Sequence, residues 1–183
     1  MTEQFKIGFI GLGIMGAPMA KNLINAKYEV YVYDIRQESI KNLVESGAIA
    51  TKNSQDLGEK VDVVVIMVQD SANFEEAIIS DNGVLNTLKK GTTIIDMSSI
   101  SPLVSQKISK LCEQKGVDFL DAPVSGGEPM AISGDLAIMI GGKENVFKKF
   151  ELSVDTIIIL SLTLFTKPKD KSLNIIKSFC LKL

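Results

Sequence analysis

Apolar positions recur along this chain with two different periods, and the changes of period mark out alternating strands and helices. Lys6–Ile10 is a short, nearly continuous apolar run, the pattern of a strand buried on both faces. Beyond it Met15, Met19 and Leu23, with Ala20 and Ile24 beside them, recur at helical spacing and predict one buried face, so the methionines read as core. Pro18 falls in the first turn or so of that helix, where a missing N–H costs little. Glu29–Tyr33 reads as the second strand. A helix over residues 37–46, a short strand at Ile49–Ala50, a helix around Ser54–Gly58 and an apolar strand over residues 61–68 follow. The pattern then predicts a helix at Ser71–Ile79, a buried strand over 92–96 and a helix opened by Ser101-Pro102 that runs to about Gln114. Strands over 117–120 and 136–140, the latter ended by Gly141-Gly142, and a helix from Glu144 to about Phe150 complete the series. Such alternation implies an α/β fold with a doubly wound, mostly parallel sheet covered on both faces and ligands at the carboxyl ends of the strands.

Gly11-Leu12-Gly13-Ile14-Met15-Gly16 lies between the first strand and the first helix, and an acid, Asp34, ends the second strand eighteen residues beyond the last glycine. In that context the spacing is a dinucleotide-binding fingerprint of a Rossmann-type domain. Gly11 allows the tight turn, Gly13 lets backbone approach a pyrophosphate, and Gly16 lets the helix pack on the strand. The pyrophosphate would sit on N–H groups at the positive end of the helix. Asp34 can accept hydrogen bonds from both hydroxyls of an adenosine ribose. It would repel a 2'-phosphate by up to about 4 kcal/mol at a separation near 4 Å and an effective dielectric near 20. NAD is therefore expected over NADP, with Arg36 as the counter-signal, because it can turn toward a phosphate.

The other motifs fall on the same edge of the expected sheet: Val68-Gln69, Met97-Ser98-Ser99, and Asp121-Ala122-Pro123-Val124-Ser125-Gly126-Gly127. In the last of these a hydroxyl and two glycines can present one side-chain donor and successive backbone N–H groups to a carboxylate. Ser99 is a candidate contact for the nicotinamide end, or alternatively a cap for the helix at Ser101-Pro102.

Composition narrows the partners. The 183 residues carry a net charge of -2, with the 20 basic residues scattered rather than gathered into a stripe, so nucleic acid is not an expected partner. No charged-then-apolar leader opens the chain, which reads as cytoplasmic. Cys112 and Cys180 are too few for a disulfide framework and read as free thiols. With no histidine in the sequence, imidazole catalysis and His-ligated zinc are excluded.

Phe9 to Gly16 with Met19 and Asn22, Asp96-Met97-Ser98-Ser99-Ile100-Ser101-Pro102, and Asp121 to Gly127 together resemble three signatures of the 3-hydroxyisobutyrate dehydrogenase family, the β-hydroxyacid dehydrogenases. Glu128-Pro129 after the double glycine is most similar to members that reduce 2-hydroxy-3-oxopropionate. The resemblance covers residues 5 to about 150. It implies that the glycine loop, Asp34, the backbone near Val68 and Gln69, and Ser99 bind NAD or NADP. It also implies that Ser125, Gly126 and Gly127 hold the carboxylate of a small substrate. Gln69 stands where such proteins usually carry proline. The resemblance further implies a Gly-x-x-Gly-x-Gly-x-x-x-Lys segment with a catalytic lysine, and an all-helical second domain.

Residues 151–183 depart from that pattern. They contain neither glycine nor alanine, although the chain has 14 glycines, and their composition shifts to Ile, Leu, Lys, Ser and Phe. Lys171 and Asn174 lack the glycine context and the family spacing, so no catalytic residue is assigned. The expectation is a dinucleotide-binding domain over 1–150 and an aberrant, frameshift-like tail. Second domain and family oligomerisation would be lost and turnover impaired, leaving a weak enzyme or a non-catalytic binding remnant. The apolar residues 156–165 fall short of the roughly twenty needed to span a membrane and read instead as an edge strand. Residues 167–183 read as a weak amphipathic helix or as disordered.

Overall fold

The computed structural model describes residues 5–151, 163–165 and 177–180. Five strand–helix units open the fold: β1 (Lys6–Ile10), α1 (Gly16–Asn25), β2 (Glu29–Tyr33), α2 (Gln37–Val44), β3 (Ile49–Ala50), α3 (Ser54–Gly58), β4 (Val63–Ile66), α4 (Ser71–Ile79), β5 (Thr93–Asp96) and α5 (Pro102–Lys115). Then come β6 (Asp118–Asp121), β7 (Val124–Ser125), α6 (Gly127–Ser133), β8 (Ala137–Gly142), α7 (Glu144–Glu151), β9 (Thr163–Phe165) and β10 (Lys177–Cys180). The strands run in the order β3-β2-β1-β4-β5-β6-β8-β10-β9, with β7 paired to β8. From β3 to β6 every pairing is parallel, and from β6 outward every pairing is antiparallel. The order reverses between β1 and β4, the switch point at which doubly wound sheets open a ligand crevice.

Alternation along the central strands builds two cores. Ile7, Phe9, Val63, Val65 and Ile95 face the layer that holds Met19, Ala20 and Leu23 of α1, together with Ile40 and Leu43 of α2. Ile10, Val64, Ile66 and Ile94 face Leu57, Phe74, Ile78, Ile108 and Cys112 on α3, α4 and α5. Each fully buried side chain of this size contributes about 1.5–3 kcal/mol, so β1, β4 and β5 anchor the molecule. The two residues of β3, both exposed, chiefly close an edge. Met15 and Ile24 are only half-buried, so the helix face expected from the periodicity has Met19, Ala20 and Leu23 at its centre. Burial pushes the Cys112 thiol up to about 12, which keeps it inert at neutral pH.

Three features differ from the sequence expectation. Gly141 and Gly142 belong to β8, where they pair with Asp121 and Leu120, instead of ending the strand before them. A short strand, β7, and a seven-residue helix, α6, lie between the strands expected over 117–120 and 136–140, where the pattern predicts no element. Gly127 and Pro129 weaken the helical signal of α6, and packing of α6 on α1 supplies what propensity lacks. The edge strand read over 156–165 is met by residues 163–165, which form the outermost strand β9, but the strand beside β8 is β10, whose Phe179 pairs with Ile138 and which lies in a segment read as a helix or as disordered. An open strand edge accepts any extended segment that can supply its ladder, whichever comes first in sequence. Residues 156–162 and most of residues 167–183 lie outside the described residues, as does most of the expected boundary after 150. Among the described residues no helix is long and apolar enough to cross a membrane, and no acid or cysteine cluster is arranged to hold a metal.

Candidate functional site

The chemistry-bearing segments all lie where parallel strands end. Gly11 leaves β1 with φ +92°, and its N–H donates to Tyr33 O at 3.0 Å. A Cβ there would stand 2.1 Å from Met67 O, so the turn closes against the end of β4 only without a side chain. Gly16 is held by proximity instead, since its Cβ would meet Gly11 O at 1.9 Å. Above Gly13 there is open space, bounded by the Arg36 guanidinium, which lies 3.6 Å from where a Cβ would stand. Met15, at the N-cap of α1, makes no capping side-chain bond. Ala17 N–H donates to Gly13 O, Pro18 has no N–H and Leu12 N–H is taken by Asp34, so the backbone donors left for an anion at this turn are those of Gly13, Ile14, Met15 and Gly16.

Asp34 is 6% exposed and makes more contacts than a ribose ligand alone requires. One carboxylate oxygen accepts the Leu12 N–H at 2.6 Å; the other accepts the Arg36 N–H at 2.8 Å and Arg36 Nε–H at 3.2 Å. The acid thus braces the glycine turn and restrains the arginine; Oδ2, which accepts one bond, keeps a second lone pair for a hydroxyl donor, whereas both lone pairs of Oδ1 are taken.

At the ends of β4 and β5, Val68 N–H donates to Ser98 Oγ at 3.0 Å, and Ser98 N–H donates to Asp96 Oδ1 at 2.9 Å. Ser98 Oγ–H also reaches Ile66 O at 3.4 Å. Gln69 and Ser99, both expected at the cofactor, are exposed on this edge. The alternative of Ser99 as a helix cap is not realised: α5 opens at Pro102 without a side-chain cap, and Ser101 N–H donates to Ser71 Oγ. Asp96 is fully buried, and its Oδ2 has no hydrogen-bond partner. Burial pushes its carboxyl up to about 7 against the pull of the Ser98 bonds, with nearby Asp121 adding repulsion. Burial also raises Asp121, which Ser105 opposes by a hydrogen bond.

The Ser125, Gly126 and Gly127 segment is exposed and opens α6. Gly126 and Gly127 both take positive φ, +141° and +69°, conformations that favour glycine. This loop is tied to the first: Asn22 Nδ2–H on α1 donates to Ala131 O on α6 at 2.9 Å. Backbone continues the link inward, where Ala122 N–H donates to Asp96 O at 2.6 Å. Every expected residue therefore lies on one edge. Asp96 and Ser98, which the sequence pattern marks only as parts of a motif, prove to be its buried hub; an acid closing an otherwise apolar strand was the available signal.

Residues 6–157 match the NAD binding domain of 6-phosphogluconate dehydrogenase. The chain is 41% identical over 151 residues to 2-(hydroxymethyl)glutarate dehydrogenase of Eubacterium barkeri, covering 82% of this chain and 50% of that protein. It is 44% identical over 144 residues to 2-hydroxy-3-oxopropionate reductase of Escherichia coli, covering 79% and 49%. Among solved structures, Mycobacterium tuberculosis 3-hydroxyisobutyrate dehydrogenase with L-serine superposes with a TM-score of 0.78 at 30% identity, covering 85% of this chain and 52% of that one. The chain spans about half the length of the curated relatives it matches. Glycine turn, strand order and sequence match agree: the chain belongs to the family of NAD-binding domains typified by 6-phosphogluconate dehydrogenase, and its relatives there are β-hydroxyacid dehydrogenases.

Proposed function

We propose that residues 1–150 are the dinucleotide-binding domain of an NAD(P)-dependent oxidoreductase of small 3-hydroxy or 3-oxo acids, with 2-hydroxy-3-oxopropionate, reduced to glycerate, as its substrate. The observation that carries this reading is the turn at Gly11 to Gly16, closed against β4, open above Gly13 and braced by Asp34. When bound, the nicotinamide supplies hydride to an aldehyde carbon or takes it from the alcohol. The chain's own residues bind and orient. N–H groups of the Gly13 to Gly16 turn that opens α1 hold the pyrophosphate, and Asp34 takes the adenosine ribose. The segment Val68-Gln69 and Ser99 line the rest of the cofactor. Ser125 Oγ and the N–H groups of Gly126 and Gly127 fix the substrate carboxylate, so that both reactants are held in place. NADH is preferred to NADPH, because the Asp34 carboxylate that takes the ribose repels a 2'-phosphate, a repulsion that Arg36, paired with it through Nε, offsets only in part.

Calorimetric titration with NADH tests the binding step, and absence of binding at millimolar cofactor refutes it. NADH oxidation dependent on 2-hydroxy-3-oxopropionate, compared with NAD reduction by 3-hydroxyisobutyrate, tests the substrate. Binding without turnover is a second reading. It is favoured by the composition of residues 151–183, which hold neither glycine nor alanine and where no catalytic residue is assigned. The same two measurements separate the readings.

A further inference from the structure

Ser98 is 1% exposed and holds the carboxyl ends of two strands together through atoms of different kinds. Its N–H is fixed by Asp96 Oδ1, two residues back on its own strand end. Its hydroxyl oxygen takes the Val68 N–H from the neighbouring crossover, and its hydroxyl hydrogen reaches Ile66 O. The oxygen of Ile66 also accepts Met97 N–H at 2.8 Å, so the regular β4·β5 ladder is extended past the strand ends by a side chain. Val68 is the second residue beyond the end of β4, and after it come exposed Gln69 and Asp70, the N-cap of α4.

We infer that Ser98 is a positioning residue for the cofactor site, its buried hydroxyl holding the Val68–Gln69 backbone in the place where a bound dinucleotide meets it. The inference rests on the reading of Val68 and Gln69 as cofactor contacts. Ser98 itself touches no ligand; it acts through the N–H of Val68, and Asp96 in turn sets the orientation of Ser98.

The test uses two substitutions of nearly equal shape that differ in the hydroxyl, Ser98→Thr and Ser98→Val, with amide exchange of the unaltered chain. In the unaltered chain the Val68 amide exchanges slowly although it lies in a loop. S98T keeps NADH affinity within about twofold, and S98V weakens it roughly tenfold, the worth of one buried hydrogen bond. S98V also speeds Val68 exchange by a similar factor while far-ultraviolet dichroism stays unchanged. Equal affinities for S98T and S98V, whether both high or both low, overturn the inference, because the hydroxyl would then be irrelevant or only shape would matter. A Val68 amide in the unaltered chain that exchanges as fast as an open loop overturns it without any variant. No NADH binding by the unaltered chain overturns the cofactor reading and the inference together. That result is distinct from normal binding left unchanged by S98V, which overturns the inference alone.

Discussion

At Gly16 a Cβ would stand 1.9 Å from a backbone oxygen, whereas at Gly127 the nearest atom is Pro129 Cδ at 3.8 Å. The first turn is closed by backbone at Gly11 and Gly16, and its acid is buried and triply bonded. The second is exposed, and the neighbour that a Cβ on Gly126 would strike at 2.6 Å is the flexible end of Met130. Backbone cannot yield where a side chain can. The end of the site assigned to the dinucleotide is thus pre-formed on rigid elements, while the end assigned to the substrate carboxylate sits on a short strand and a seven-residue helix whose neighbours can move. A common cofactor handle and an adaptable substrate end follow from this difference.

The contrast is most readily broken at Gly16. Gly16→Ala should destabilise the chain by at least about 3 kcal/mol in urea unfolding, since α1 must move off the turn. Loss of NADH binding should accompany it. A variant as stable as the unaltered chain would mean that the first turn is no more rigid than the second.

A second prediction concerns Asp96, whose backbone and side chain join the two ends. Its carboxyl rises from 3.8 to about 7 on folding because of burial, so between these values the folded state binds the extra proton. The unfolded state binds fewer protons there, and stability therefore falls as pH rises from about 4 to about 7 and is level above. Between about pH 5 and 7.5 the loss should be about 2 kcal/mol by urea unfolding, and Asp96→Asn should remove most of it. Asp121, raised in the same direction by burial, leaves a smaller residue of the effect. A flat profile in the unaltered chain would show that Asp96 reaches solvent.

Replacing the acid at the first turn sharpens the comparison on the ligand side. Asp34→Ser frees Arg36 and removes the repulsion of a 2'-phosphate, and should swing the NADPH to NADH affinity ratio at least about tenfold by calorimetry, about 1.4 kcal/mol. An unchanged ratio would assign Asp34 to bracing Leu12 alone. The smallest effect is expected at Gly127→Ala, about 1 kcal/mol from its positive φ, with the fold and NADH affinity intact and substrate affinity reduced. If NADH binding fell with it, the two turns would be one unit.

Much of this arrangement was legible in the linear pattern. The run Lys6–Ile10, the helical spacing of Met19 and Leu23, and the strand ending in Asp34 each announce their element because strand and helix periods are local properties. The glycine turn was legible because each glycine meets a steric demand set by the turn itself. Less legible were β7 and α6, too short and too rich in glycine and proline to carry a period, and the pairing of Lys177–Cys180 with β8, which an open edge decides.

By itself, then, the sequence determined the order of strands and helices, the cradle at Gly11 to Gly16 and the acid beside it, all through interactions within one strand–turn–helix–strand unit. Only the tertiary structure decided that Asp34 bonds Leu12, 22 residues away, that Val68 hangs from Ser98, 30 residues away, and that Asn22 ties α1 to Ala131, 109 residues away. It alone also buried Asp96 with an unpartnered oxygen. The physical reason is that a hydrogen bond is resolved over about 3 Å, and which strand ends come that close depends on the whole sheet's order and register, to which local periods are blind.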